Sequence, residues 1–360
     1  FDFSIGNPNV PAPAFIRETI TDLVNNEDPV KIHGYTSAQG DFGVRKILAD
    51  HINSKYGTEI TADHFYLTAG AAASLSICCK ALALPGDEFL TFAPYFPEYK
   101  IYVESAGGAL SVIPADTANF QIDMEKFAQA INEKTKAVII NSPNNPSGVV
   151  YSLETIRKMC LIMEERSKLY GHPIYLISDE PYRELVYGDV EVPFLLSHYD
   201  NTFVCYSYSK SLSLPGERIG YVLVSNRMKD GEDVYAAVCG AGRALGYVCA
   251  PSLFQHLIAR CIGRTADISI YKKNRDILYS GLTGMGYECA KPDGAFYLFV
   301  KALEPDAEAF CDRAKKHELL LVPGDGFGCP GYVRISYCVR TDQIEASLPA
   351  FEKLAEEYKK

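Results

Sequence analysis

The stretch TFVCYSYSKSLSLPGERIGYVLV, Thr202 to Val224, carries more of the fold than any other. An apolar run (Thr202 to Tyr206) breaks into hydroxyl residues at Ser207, and a second apolar run resumes at Gly220. Between them stands one lysine, Lys210, set among serines, a tyrosine and leucines rather than charges, with Arg218 eight residues on. Short, near-continuous apolar runs fit strands buried on both faces, hence a largely parallel sheet covered by helices. Two more lie upstream. AVII (Ala137 to Ile140) ends at Asn141, and IYLIS (Ile174 to Ser178) ends at Asp179. In open α/β sheets ligands bind beyond the carboxyl ends of the strands. Here three strands each deliver polar groups at that end: Asn141 to Asn145, Asp179 with Tyr182, and Ser207 with Lys210. Together they predict one polar site on one edge of the sheet.

Helices connect these strands. SLETIRKMCLIMEERSKLYG predicts a helix with Ile156, Met159, Cys160 and Met163 on its apolar face, ended by Gly171 and Pro173. LTAGAAASLSICCKALALPGDE opens with Gly70 and three alanines and continues as a helix with Leu75, Cys78, Cys79 and Leu82 inward, stopped by Pro85-Gly86. Small residues at a helix start let a ligand approach the free backbone N–H groups, where those donors and the helix dipole favour a phosphate. After about residue 270 the texture changes. KPDGAFYLFV and GYVRISYC read as strands of a meander, with helices at 305–317 and 341–359. The expectation is an α/β fold: a large domain at 31–270, and a smaller α+β domain built from both termini, 1–30 and 271–360.

Composition narrows the function. The 360 residues exceed a single small core, and 48% hydrophobic with 22% charged residues is ordinary for a folded globular chain. A formal charge of −10 and no basic tract argue against a nucleic-acid surface. No apolar run approaches bilayer-spanning length. Eleven cysteines without a CxxC, many in apolar runs, read as reduced thiols of a cytoplasmic protein, and the seven histidines lack metal-ligand spacing, so no metal is expected.

A phosphate cradle, a carboxylate, a phenol, an asparagine and one lysine in apolar surroundings form the set that pyridoxal 5′-phosphate needs. A desolvated lysine is a Schiff-base nucleophile, and a carboxylate keeps the pyridine nitrogen protonated so that the ring accepts electrons. The sequence resembles the class I/II aminotransferases of the fold type I pyridoxal-phosphate enzymes, over almost the whole chain and in the family's order. FSIGNPNVPAP, HGYTSAQGDFGVRKILADHI, SPNNPSG, SDEPYRELVY, SYSKSLSLPGERIGY, DGAFYLF and GDGFGCPGYVRISY carry the likeness.

The resemblance implies roles. Lys210 forms the internal aldimine and moves the proton. Asp179 pairs with the pyridine nitrogen, and Tyr182 and Asn145 hold the ring hydroxyl. Phe96 stacks on the ring, with Tyr95 adjacent as the alternative. Ser207, Arg218 and the amides of Ala71 and Ala72, following Gly70, bind the phosphate. Tyr35 reaches the phosphate of the neighbouring subunit, making the active unit a homodimer with shared sites. Arg334 clamps the substrate α-carboxylate, helped by Asn145 and the Gly6 backbone. Singly, each has a structural reading: Asp179 as a helix cap, Asn145 as a turn residue, Phe96 as core, Arg334 in a buried ion pair.

The chain departs from the family pattern at two places. Ala72 stands where some aspartate-specific relatives carry lysine or threonine. Arg243 lies in the segment from which some relatives send a side-chain-binding arginine across the dimer, but its spacing to the following proline differs. The implied activity is ping-pong transamination between an L-amino acid and a 2-oxo acid. A C–S β-lyase of the same fold shares nearly all these residues. A transcription regulator's aminotransferase-like sensor domain is a third reading, and it requires a DNA-binding domain absent from these residues.

Overall fold

The computed structural model describes residues 1–359. A seven-stranded sheet forms its centre: β1 (Phe65–Thr68), β2 (Glu88–Phe92), β3 (Ala109–Ile113), β4 (Thr135–Asn141), β5 (Tyr175–Asp179), β6 (Thr202–Ser207) and β7 (Gly220–Val224), in the order β1-β7-β6-β5-β4-β2-β3. Strands β3, β2, β4, β5 and β6 pair in parallel, and β7 runs antiparallel to both neighbours. The apolar runs mark this centre because both faces are covered. On β4, Ala137 and Ile139 pack on one side with Leu75, Cys78 and Cys79 of the helix Ala71–Leu82. Val138 and Ile140 pack on the other with Ile156, Met159, Cys160 and Met163 of the helix Leu153–Tyr170. Alternation by two along one strand thus feeds two cores. Each such fully buried aliphatic side chain contributes about 1.5–3 kcal/mol. Ser152 caps the second helix through the Thr155 amide at 3.0 Å, and Gly171 ends it at φ 75°, a left-handed turn that suits glycine.

The second unit holds β8 (Tyr297–Lys301), β9 (Val322–Pro323) and β10 (Tyr332–Ser336), an antiparallel sheet in the order β8-β10-β9. The helices Ser269–Gly284, Ala307–Lys315 and Thr341–Glu356 share its core. Both strands read as a meander are therefore neighbours, and the two C-terminal helices end two or three residues inside their expected limits. The N-terminal thirty residues divide. Phe3 and Val10 enter this second core, and Asp2 bridges Leu320. The helix Ala14–Asn26 instead places Ile16 and Leu23 in the large unit's core with Val44, Leu48 and Leu257. Among the described residues no helix is long and apolar enough to cross a membrane.

Candidate active site

Strand pairing brings the polar strand ends together. Asn141 of β4 lies opposite Asp179 of β5, which lies opposite Cys205 of β6, two residues before Ser207. Beyond this edge opens a cavity of about 550 Å³, floored by the sheet and roofed by β10 and the N-terminal segment around Gly6.

Lys210 sits in the single helical turn Tyr208–Ser211 after β6. The side chain of Ser207 starts that turn by accepting from the Ser209 amide at 3.2 Å. The Lys210 ammonium donates to the Gly6 carbonyl at 2.8 Å and lies 5.2 Å from the Phe296 ring. Burial holds its pKa down at about 8, with the Arg218 and Arg334 guanidiniums adding repulsion. A lysine this readily deprotonated is a usable nucleophile near neutral pH.

Asp179 is 4% exposed. Tyr99 donates to its Oδ2 at 2.6 Å, whereas its Oδ1 is buried without a partner. Burial pushes this carboxyl up to about 7; the Tyr99 hydrogen bond opposes the rise and the neighbouring Glu180 charge adds to it. Asn141 positions the chain here, donating to the Asp179 carbonyl at 2.9 Å and accepting from the Asn145 amide at 2.7 Å. A buried acceptor left open at the base of a cavity is costly unless a ligand supplies a donor.

The N-terminus of the helix Ala71–Leu82 faces the same space through Ala71 and Ala72, together with Ser207, Ser209 and Arg218. Gly70 precedes it at φ 88°, and a Cβ there would come within 2.9 Å of the Arg218 guanidinium. Free helix amides, two hydroxyls and a guanidinium make a phosphate-shaped donor set. On the far side, the Tyr182 and Tyr297 hydroxyls are 3.0 Å apart. Arg334, on β10, donates to Asn145 Oδ1 at 3.1 Å and to the Ser4 carbonyl at 2.7 Å. Its guanidinium lies 4.8 Å from the Tyr297 ring and 4.9 Å from the Phe327 ring, and its Nε is buried without a partner. This is a held, incompletely satisfied cation suited to a carboxylate.

Phe96 lines the cavity, while the adjacent Tyr95 does not. Gly6, Asn145, Asp179, Tyr182, Ser207, Lys210, Arg218 and Arg334 all line it. Tyr35 and Arg243 do not. Tyr35 is 98% exposed, and Arg243 is exposed near the end of the helix Gly231–Ala244. Sequence reasoning gave no role to Tyr99, Tyr297, Phe327, Ser209 or Glu98. Ser209, Tyr297 and Phe327 lie inside quoted motifs, but Tyr297 and Phe327, like Tyr99, read as core aromatics, and Glu98 reads as a helix acid. Among the described residues no group of histidine, cysteine or carboxylate side chains forms a metal site. The open Asp179 oxygen, the phosphate-type cradle and the low-pKa lysine fit pyridoxal 5′-phosphate.

Comparison with known proteins agrees with this geometry. The family model described as "Aminotransferase class I and II" matches residues 1–351. An aspartate aminotransferase of Thermotoga maritima is 30% identical over 358 residues, 98% of this chain and 90% of that protein. A probable aspartate/prephenate aminotransferase of Aquifex aeolicus is 29% identical, covering 99% and 91%. Among solved structures, an amino transferase from Eubacterium rectale superposes with TM-score 0.99 at 60% identity, covering 100% of this chain and 91% of that one. The Thermotoga maritima aspartate aminotransferase superposes with TM-score 0.88 at 30% identity, covering 99% and 92%.

Proposed function

The chain belongs to the class I and II aminotransferases, and on that premise we propose that it binds pyridoxal 5′-phosphate in this cavity and moves an amino group from an L-amino acid to a 2-oxo acid. The observation that carries the cofactor assignment is the buried, partnerless Oδ1 of Asp179, on the sheet edge that also carries Lys210. When bound, the cofactor supplies an electron sink that allows the substrate Cα–H bond to break.

The protein's own groups do the rest. Asp179 accepts from the protonated ring nitrogen and keeps that proton in place, and Tyr99 keeps the carboxylate oriented. Tyr182 and Asn145 hold the ring oxygen, and Phe96 covers one ring face. Ser207, Arg218 and the amides of Ala71 and Ala72 fix the phosphate. Arg334 takes the α-carboxylate as a forked donor, which turns the Cα hydrogen toward Lys210. Lys210, neutral above about pH 8 in the empty site, would take the proton from the substrate Cα and hand it to the cofactor's C4′ carbon within the same half-reaction, and would move it the opposite way in the reverse half. Solvent-facing Tyr35 is available to a second subunit, which supports a homodimer with shared sites. All eleven cysteines are free, which supports a reducing, cytoplasmic setting.

The test is a half-reaction. The loaded protein should absorb in the visible, change colour when an L-amino acid is added, and release one 2-oxo acid per site. Borohydride should fix the cofactor to Lys210, and Lys210→Ala should lose turnover. Undiminished turnover in that variant refutes the assignment. Ammonia released from cystathionine without any 2-oxo acid acceptor would make lyase chemistry the main activity instead.

A further inference from the structure

Each charged group of the cavity but one has a task in transamination. Arg218 serves the phosphate, Arg334 the α-carboxylate, Asp179 the ring nitrogen, and Lys210 the reacting carbon. Glu98 is left over. It is the first residue of the helix Glu98–Ala106, directly after Pro97, and it lines the cavity between Phe96 and Tyr102. An acid in a first helical turn gains from the helix dipole. That accounts for a carboxylate at this position but not for one turned into an active site. The side chain is half-buried, and among the described residues it has no hydrogen-bond or ion-pair partner.

Its charge is felt by two phenols. Tyr102 and Tyr297 are both held up at about 12, first by burial, with the Glu98 carboxylate contributing to each. Tyr297 is the residue whose ring carries the Arg334 guanidinium at 4.8 Å. Glu98 therefore faces the same cavity as a substrate held at Arg334. At the helix start facing this space stands Ala72, so that position supplies no cation to offset the carboxylate.

We propose that Glu98 is a specificity-determining residue: it favours amino acids whose side chain ends in a cation and disfavours dicarboxylic ones. The inference rests on the aminotransferase reading for the substrate's pose. A half-buried like charge a few ångströms away disfavours a ligand by about tenfold or more, and an unlike charge favours it by a similar factor. The acceptor enters the same pocket, so pyruvate should outrun 2-oxoglutarate as amino-group acceptor.

The experiment compares the holoenzyme with its Glu98→Gln variant. L-arginine, L-aspartate and the neutral L-norleucine are followed one at a time in single-turnover half-reactions. In the variant, kcat/KM for arginine relative to norleucine should fall about tenfold, and that for aspartate relative to norleucine should rise about tenfold. Unchanged ratios overturn the proposal. Succinate, which cannot react, supplies a second readout through its perturbation of the cofactor spectrum. It should bind the variant about tenfold more tightly at low salt, with the gain shrinking at high salt. Equal succinate affinity also overturns the proposal. Should no amino acid react while succinate shows the expected shift, the transamination reading falls and charge selection by Glu98 stands. Reaction of norleucine with unchanged ratios gives the reverse.

Discussion

Asp179→Asn offers a direct test of the electrostatics at the base of the site. The substitution keeps an acceptor for Tyr99 and removes a buried charge whose second oxygen has no partner. In the cofactor-free wild type, burial raises the carboxyl from 3.8 to about 7. Across the interval between those values the folded chain holds a proton that the unfolded chain has shed. Stability therefore falls as pH rises through that interval and levels off above about 7. Each pH unit is worth about 1.4 kcal/mol where the two states differ by a full proton, so the wild type should lose about 2–3 kcal/mol relative to the variant between pH 5 and pH 8. Urea unfolding of both apo proteins at several pH values measures this, because all other groups cancel in the difference. The wild type should be the less stable of the two at pH 8. Loading the wild type with cofactor should remove its slope, since a ring N–H then partners Oδ1. Parallel pH profiles for the two apo proteins would refute the reasoning.

The remaining predictions concern the other cations and the cradle. Coupling of the aldehyde cofactor to apo protein requires neutral Lys210, so its rate should climb with pH and level off above about 8 in a stopped-flow pH series; a midpoint near the ordinary lysine value would contradict the burial argument. Arg334→Lys removes a forked contact and should lower kcat/KM for every amino acid by a similar factor, about ten- to a hundredfold, in half-reaction assays. Gly70→Ala puts a Cβ at φ 88° and 2.9 Å from the Arg218 guanidinium, and should cost about 1–3 kcal/mol in urea unfolding while increasing cofactor loss on gel filtration.

Much of the site was legible because parallel strands buried on both faces must be written as continuous apolar runs. The first polar residue after each run then marks the edge where a ligand lies. Asn141, Asp179 and Ser207 were found that way, and register alone brings them together. The antiparallel direction of β7 was not legible: GYVLV has the same texture as its parallel neighbours, and only the short return from Ser207 to Gly220, without a covering helix, hints at it. Tyr99 was missed for a different reason. It lies 80 residues from Asp179 in sequence, and a tyrosine three residues after a phenylalanine reads as core. The helix Ala14–Asn26 has an amphipathic face that says it docks, but not on which of two cores. Tyr35 and Arg243 lie outside the cavity of one chain, and nothing in their local pattern says what covers them.

The N-terminal segment sets an order of events during synthesis. Residues 4 to 6 supply the carbonyl that holds Arg334, 330 residues away, and the one that holds Lys210, 204 residues away. The strands of the seven-stranded sheet are all made once Val224 has emerged, so the sheet can begin to condense while translation continues. The first six residues cannot find their second partner until β10 has been made. At about 5–20 residues per second the ribosome needs roughly 6–22 seconds to go from Val224 to Arg334. Throughout this time Lys210 lacks its full enclosure and Arg334 does not yet exist. A nascent chain is thus able to fold around most of its cofactor pocket before it can recognise a substrate carboxylate, and substrate recognition by Arg334 becomes possible only once β10 has been made.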